Sequence, residues 1–223
     1  MSALLVQDYL QTQGLRLPTD EVRVALMTLQ AVINMGEVSV DRNILWYCRD
    51  HVVLSDYVAE NSDNEKLLKQ IFMALDSVGS RCEGWQSIAV YALMPSENGQ
   101  PFLLRLAQQG SVLEQKIEVN EESGRRYLSC RTAATGWLNV VNDMQKWFEL
   151  GEVEGDHHRC LSQMVLPVCA ESGKVLGVVQ VDCAQKNAFD NAVQTDWVAL
   201  AVALAEPMQA LLGEGSEGEC ENE

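Results

Sequence analysis

A chain of 223 residues, 47% of them hydrophobic, carries enough apolar side chain for the packed core of one large domain, so long-range disorder is excluded outside a short tail. Its 16 Lys and Arg face 32 Asp and Glu, a formal charge of −16. Such a surface repels phosphate backbones and anionic lipid, so nucleic acid and membrane are not expected partners. The nearest basic cluster, Arg125, Arg126 and Arg131, reads as solvated helix charge.

The opening, MSALLVQDYLQTQG, lacks the basic start and small-residue cleavage pattern of a secretion signal. No run reaches the roughly 18 apolar residues of a membrane span. The seven cysteines, Cys48, Cys82, Cys130, Cys160, Cys169, Cys183 and Cys220, are odd in number and never form a CxxC pair. They read as reduced thiols, which predicts a cytoplasmic location.

In chain order, residues 1–60 read as a helical segment. Val22, Ala25, Leu26, Leu29, Val32 and Ile33 form one stripe at helical spacing, with Thr19 or Asp20 as N-cap and Gly36 as stop. A second helix is expected from Asp41 to Ala59. Asn61 to Asn64 is a polar break, which sets a boundary between a 1–60 segment and a 62–212 domain. Glu65 to Val78 is helical again.

The hydrophobic period then changes from about 3.6 to 2. Trp85–Leu93, Phe102–Ala107 and Val112–Val119 read as strands, Glu121–Thr135 as a helix ending at Gly136, and Trp137–Val141 as a strand. Met144–Leu150 reads as a short helix and Gly151–His158 as a polar loop. Ser162–Cys183 reads as a β-hairpin turning at Glu171–Lys174, its return strand rich in Val. Pro167 cannot donate to a ladder and marks an edge or a bulge. Ala192–Leu212 is a closing helix that Pro207 should kink or whose last turn it should free. Residues 213–223 form an acidic, Gly-rich tail too poor in apolar groups to fold alone.

Four stretches carry a resemblance. They are EKLLKQIFMALDSVGSRCEGWQSIAVYAL, RTAATGWLNVVND, the hairpin VLPVCAESGKVLGVVQVD, and AFDNAVQTDWVALAVALAEPM. In this order they resemble a GAF domain over residues 62–212. The resemblance implies an α+β fold, a GAF-like antiparallel sheet flanked by helices, here preceded by a helical segment. It also implies a small-molecule pocket on the sheet face away from the long helices, under residues 127–162. The candidate ligand-binding residues are Cys130, Trp137, Asp143, His158, Cys160, Gln163, Gln180 and Asp182. Trp137 and Trp147 flank the region, with core packing as the plainer role.

The enzymatic branch that the chain resembles, the free methionine sulfoxide reductases, implies a nucleophilic Cys in the loop before the hairpin. It also implies one acid before the VLP-like strand and two on the return strand. Those positions fall on Asp156, Gln163, Gln180 and Asp182, so one of the three acids is kept. Cys160 is displaced from the nucleophile position. An amide cannot replace a carboxylate that pairs with an ammonium group, and a displaced thiol cannot attack in line. Arg159 and Arg131, beside Cys160 and Cys130, could each lower a thiol pKa.

A metal site would rest on Asp156, His157, His158 and Cys160, but adjacent His residues rarely share one ion, and no metal or catalytic residue is assigned. The Lys186-Asn187-Ala188-Phe189 and Asp196-Trp197 run loosely echoes cyclic-nucleotide-binding relatives. The sequence names no cofactor. It predicts a non-catalytic sensory or regulatory module that binds a small molecule or a protein partner and forms a homodimer through residues 1–60 or the helices at 65 and 197. The alternatives are a thiol enzyme and a ligand-free interaction module.

Overall fold

In the computed structural model, which describes residues 2–35, 39–49, 51–95, 99–155 and 160–213, the chain begins with helices α1 (Ser2–Thr12) and α2 (Thr19–Asn34). The α2 stripe does what its spacing dictates, since Val22, Leu26 and Leu29 are buried. Thr19 and Asp20 are helical residues rather than the cap. Pro18 holds the cap position at φ −62° and ψ 112°, with no side-chain cap bond. The proline ring presets that φ. Gly36 lies outside the described residues.

The helix expected from Asp41 to Ala59 does not form. Only α3 (Arg42–Leu45) is helical, capped by Asp41 accepting from Asn43 N. A small antiparallel hairpin follows, β1 (Cys48–Arg49) with β2 (Val52–Val53), then a 3-10 turn over Leu54–Asp56. Aromatic Trp46 and Tyr47 and the β-branched pair Val52 and Val53 favour extended backbone. His51, at φ 67°, sits in a left-handed conformation that a right-handed helix excludes.

Helix α4 (Ser62–Gly79) is capped by Asn61, which accepts from Asn64 N at 2.8 Å. Next come β3 (Trp85–Met94), β4 (Phe102–Gly110) and β5 (Lys116–Glu118), then α5 (Glu121–Arg126), α6 (Leu128–Thr135) and β6 (Asn139–Val141). The chain continues through α7 (Met144–Glu149), β7 (Ser162–Cys169), β8 (Val175–Cys183), α8 (Asn191–Ala203) and α9 (Ala205–Leu211). The last six strands form one antiparallel sheet in the order β5-β4-β3-β8-β7-β6.

Three boundaries differ from the sequence expectation. The strand expected at Val112–Val119 shrinks to β5, because Gln108 and Arg105 tie down the loop before it. Leu113 N donates to Gln108 Oε1 at 3.2 Å, and the Arg105 guanidinium donates to Leu113 O. The helix expected at Glu121–Thr135 is two helices, split at Tyr127, whose backbone is extended (φ −122°, ψ 118°). The closing helix breaks at Leu204, three residues before Pro207. Pro207 has no N–H for the Ala203 carbonyl, and its ring crowds that carbonyl.

Pro167 lies in an interior strand, yet β6 covers only Gln163–Val165 of β7. The outer side of Pro167 is closed by α1, where Tyr9 Oη donates to Pro167 O at 2.9 Å. Burial raises the Tyr9 pKa well above its usual value, with Cys169 adding to the effect.

The sheet buries both faces. On the back, Ile88, Val90, Leu104, Leu166, Val179 and Val181 share one core with α4 and α8 and with Val6, Leu10, Leu26 and Leu29 of the N-terminal helices. α2 lies directly on α8 and α4. On the front, Ala89, Tyr91, Leu103, Val165 and Val178 meet Leu128, Cys130 and Met144. Gln13 binds the N-terminal segment to the front. Its Nε2 donates to Gly136 O at 2.9 Å and its Oε1 accepts from Leu138 N at 2.6 Å. No helix among the described residues is long and apolar enough to cross a membrane.

Every residue of β8 from Leu176 to Cys183 is buried, which accounts for its Val-rich run. Gly177 pairs with Ala92 and Val168 in the middle of the sheet. A Cβ there would stand 2.0 Å from the Tyr91 carbonyl oxygen and 2.5 Å from Met208 Cε. Replacing Gly177 with Ala is therefore expected to cost about 2–3 kcal/mol, read as a lower urea midpoint. A midpoint equal to wild type would contradict this packing.

Candidate functional site

Alternation along β8 points Val179, Val181 and Cys183 to the back and Val178, Gln180 and Asp182 to the front. Opposite them β7 supplies Gln163, the cross-strand partner of Asp182. These polar residues stand in the wall of a front-face cavity of about 40 Å³. Its other walls are Leu113 and Glu114 from the loop before β5, residues 126–129 around the α5–α6 break, Met144 and Phe148 of α7, Val153 and Cys160.

Asp182 is only 2% exposed. Gln163 Nε2 donates to its Oδ1 at 2.7 Å, and Gln180 Nε2 donates to Oδ1 and Oδ2, both at 3.1 Å. Two amides of the protein thus satisfy the carboxylate that faces the cavity. A ligand group would have to displace hydrogen bonds worth about 1.5–3 kcal/mol each. Across the cavity, Ser129 is 1% exposed and its Oγ has no hydrogen-bond partner among the described residues. At roughly 10–15 Å³ per water, the space suits about three waters, one of which could satisfy Ser129. It is far below the ~300 Å³ at which small-molecule pockets begin.

Of the eight candidate residues, the structure brings Cys160, Gln163, Gln180 and Asp182 together at this cavity. It does not bring in Cys130, Trp137 or Asp143. Cys130 is buried in α6, its Sγ 3.7 Å from Glu118 O. Trp137 is 58% exposed at the α6–β6 turn. Asp143 caps α7 and pairs with Lys186 Nζ at 2.8 Å. The Lys186 hydrogen bond, then the Lys146 N–H, hold its carboxyl below the usual range. His158 lies outside the described residues, as do Asp156, His157 and Arg159.

Among the described residues no three His, Cys, Asp or Glu gather as metal ligands would. The nucleotide echo resolves into structural roles. Phe189 is a core side chain and Asp196 pairs with Arg81 at 3.3 Å. Ser129, Tyr127, Met144, Phe148 and Val153 were missed from the sequence. They reach the cavity through the break at Tyr127 and the placement of α7, which no local pattern encodes.

The thiols are held as thiols. Burial pushes Cys130 up to about 12. Burial, then Asp182 and Cys183, raise Cys160 well above its ordinary value, and burial foremost takes Cys183 to about 12. Arg131 does not activate Cys130. Its guanidinium donates to Gly124 O and Glu152 O and lies 5.9 Å from the Trp147 ring.

A second, more open cavity of about 460 Å³ lies between residues 43–48 and Arg105–Gln108 of β4. Tyr47 dominates it. Its ring is 5.1 Å from the Arg105 guanidinium, and its hydroxyl donates to Arg105 O at 2.6 Å. Burial raises its pKa to about 12, against the opposing pull of Arg105.

These thiols fix a pH dependence. Their folded pKa values lie above the unfolded value near 8.5, so the unfolded chain ionises first. The contribution is full below about pH 8.5 and is lost as pH rises toward 12. Stability in urea is expected to fall steadily above about pH 9. At pH 8, a thiol reagent should label exposed Cys48 readily and Cys130, Cys160 and Cys183 only on unfolding. Rapid labelling of Cys160 in the folded protein would contradict the assigned burial.

No family model matches the sequence, and no curated protein matches it. Solved structures do. A GAF sensor protein from Burkholderia vietnamiensis is similar with a TM-score of 0.58 and 14% identity, over 87% of this chain and 97% of that one. The GAF domain of an Acinetobacter phosphoenolpyruvate-protein phosphotransferase gives 0.56 and 16%, over 89% and 96%. The type II free methionine-R-sulfoxide reductase of Thermoplasma acidophilum gives 0.56 and 15%, over 67% and 97%. Sensors and enzymes share this architecture, and at such identities the likeness establishes the fold. With its six-stranded antiparallel sheet, helical back and cavity-bearing front, this chain is a GAF-fold protein with a helical N-terminal extension.

Proposed function

We propose that this chain is a non-catalytic regulatory module that works through contacts with protein partners, its front cavity closed by its own side chains and water. One observation carries the reading. The carboxylate placed to receive a ligand, Asp182, is already satisfied by Gln163 and Gln180 in a cavity of about 40 Å³. Thiol catalysis needs a thiolate. The cysteine in that cavity wall, Cys160, is buried beside a carboxylate that disfavours one. The charge of −16 argues against nucleic acid as the partner. The free thiols among the described residues fit a reducing compartment such as the cytoplasm.

A second reading has its own support. The buried Ser129 hydroxyl, without a partner among the described residues, is a ready donor and acceptor for a ligand of a few atoms. Native mass spectrometry of protein purified from cells separates the two. The expected spectrum shows the bare chain mass of 24.8 kDa or multiples of it. A stoichiometric extra mass that survives desalting would favour the small-ligand reading. With free methionine-R-sulfoxide and a dithiol reductant, the expected rate equals the protein-free blank. Turnover near the ~1 s⁻¹ low end of ordinary enzymes would overturn the non-catalytic assignment.

A further inference from the structure

Strand β4 outruns the strand on its outer side. β3 pairs with it from Phe102 to Gly110, past one bulge. On the outside, β5 pairs with Phe102, Leu103 and Leu104. One more bond, from Arg105 N to Gln115 O at 2.9 Å, closes that ladder. Beyond it, no strand among the described residues lies against the outer edge of β4. Side chains keep the edge open. Gln108 Oε1 accepts from Leu113 N, Gln108 Nε2 donates to Ser111 O at 3.0 Å, and the Arg105 guanidinium donates to Leu113 O. These bonds hold the β4–β5 connection as a loop, so β5 cannot lengthen along the edge.

Where a further strand would lie, there is the cavity of about 460 Å³. Its far wall is Asn43, Ile44, Trp46, Tyr47 and Cys48. Cys48 begins β1, which belongs to the separate two-stranded sheet. The cavity therefore occupies a gap between two sheets. Its size falls within the ~300–1,000 Å³ of ligand sites, whereas the front cavity of about 40 Å³ does not. The wall is also preset. The Tyr47 hydroxyl is bonded to Arg105 O and its ring rests on the Arg105 guanidinium, so ordering it costs little on binding.

The geometry points to this edge as the docking site for an extended, basic segment of a partner protein, which adds to β4 as a strand. This specifies the protein-contact reading given above and rests on it. The backbone selects the shape of the occupant. From Leu106 to Gln109 the edge runs about 10 Å, at ~3.3 Å per residue. A row of edge N–H and C=O groups is matched by another extended backbone, while a compact ligand meets one step of it. The wall selects the side chains. Ile44 is 51% exposed beside the Tyr47 ring, which suits an apolar residue at every second position of the segment. Charge selects the sign. A chain of −16 steers a basic segment inward and repels both an acidic segment and a second copy of itself.

Fluorescence anisotropy of the full chain with a labelled peptide, Lys-Val-Thr-Val-Thr-Val-Lys, tests it. The expected Kd is ~100 μM at low salt and about tenfold weaker at about 0.5 M salt. Replacing the middle Val of the peptide with Pro removes a ladder donor and should weaken binding about tenfold. Replacing both Lys with Glu should abolish binding up to ~1 mM. At saturation the exposed Cys48 thiol should react about fivefold more slowly with a thiol reagent. Ile44→Asp should weaken binding about tenfold at an unchanged melting temperature. Leu150→Asp, at an exposed apolar residue just past α7, should bind as wild type does.

No binding at ~1 mM peptide would overturn the proposal. So would equal binding of the proline or glutamate peptide, wild-type affinity in Ile44→Asp, or unchanged Cys48 reactivity at saturation. If Ile44→Asp fails to fold, the proline peptide and Cys48 reactivity in the wild-type chain supply the test. A doubling of mass without peptide, abolished by Ile44→Asp, would give the edge to a second copy instead. A small bound mass whose removal exposes Cys48 would give the cavity to a small molecule instead. Each of these results leaves the closed front cavity standing, whereas a ligand bonded to Asp182 would overturn that reading and leave the edge open.

Discussion

The double burial of β8 governs this molecule. From Leu176 to Cys183 every residue of the strand is buried. Its back-facing side chains anchor the helices, and its front-facing Gln180 and Asp182 make the polar floor of the cavity. Burying a carboxylate in mid-sheet costs several kcal/mol unless hydrogen bonds compensate. Gln163 and Gln180 supply that compensation from the neighbouring strands β7 and β8. The register that pairs Gln163 with Asp182 therefore serves stability and closes the site at the same time.

The same strand explains why the N-terminal helices are part of the structure. The helices α4 and α8 lie on the apolar back of the sheet, and α2 lies on them as a further layer with α1 beside it. Gln13 and Tyr9 then fasten them with hydrogen bonds to Gly136, Leu138 and Pro167, on the α6–β6 turn and on β7.

Much of this was legible in the sequence, because it is written in local rhythm. The change of period at Trp85, the Val-rich return strand, the break near Pro207 and the α2 stripe are all short-range signals. What was not legible depends on distant contacts. The 41–59 stretch has apolar residues that fit a helix, but its aromatic and β-branched pairs settle on the edge of the sheet instead. Tyr127 is extended between α5 and α6, a break that no adjacent Gly or Pro announces. Gln163, Gln180 and Asp182 entered the candidates through the family resemblance, and the β7–β8 pairing does set them side by side at the cavity, with Cys160 just ahead of β7. Trp137 and Asp143 looked similar by composition, but one faces solvent and the other serves as a helix cap.

The central claim is that the front cavity is closed by the protein's own groups. A high-resolution crystal structure of protein purified from cells tests this most directly. It should show Asp182 bonded to Gln163 and Gln180, with only water beside Ser129 Oγ. Continuous density for an organic molecule bonded to Asp182, with either glutamine swung away, would contradict it.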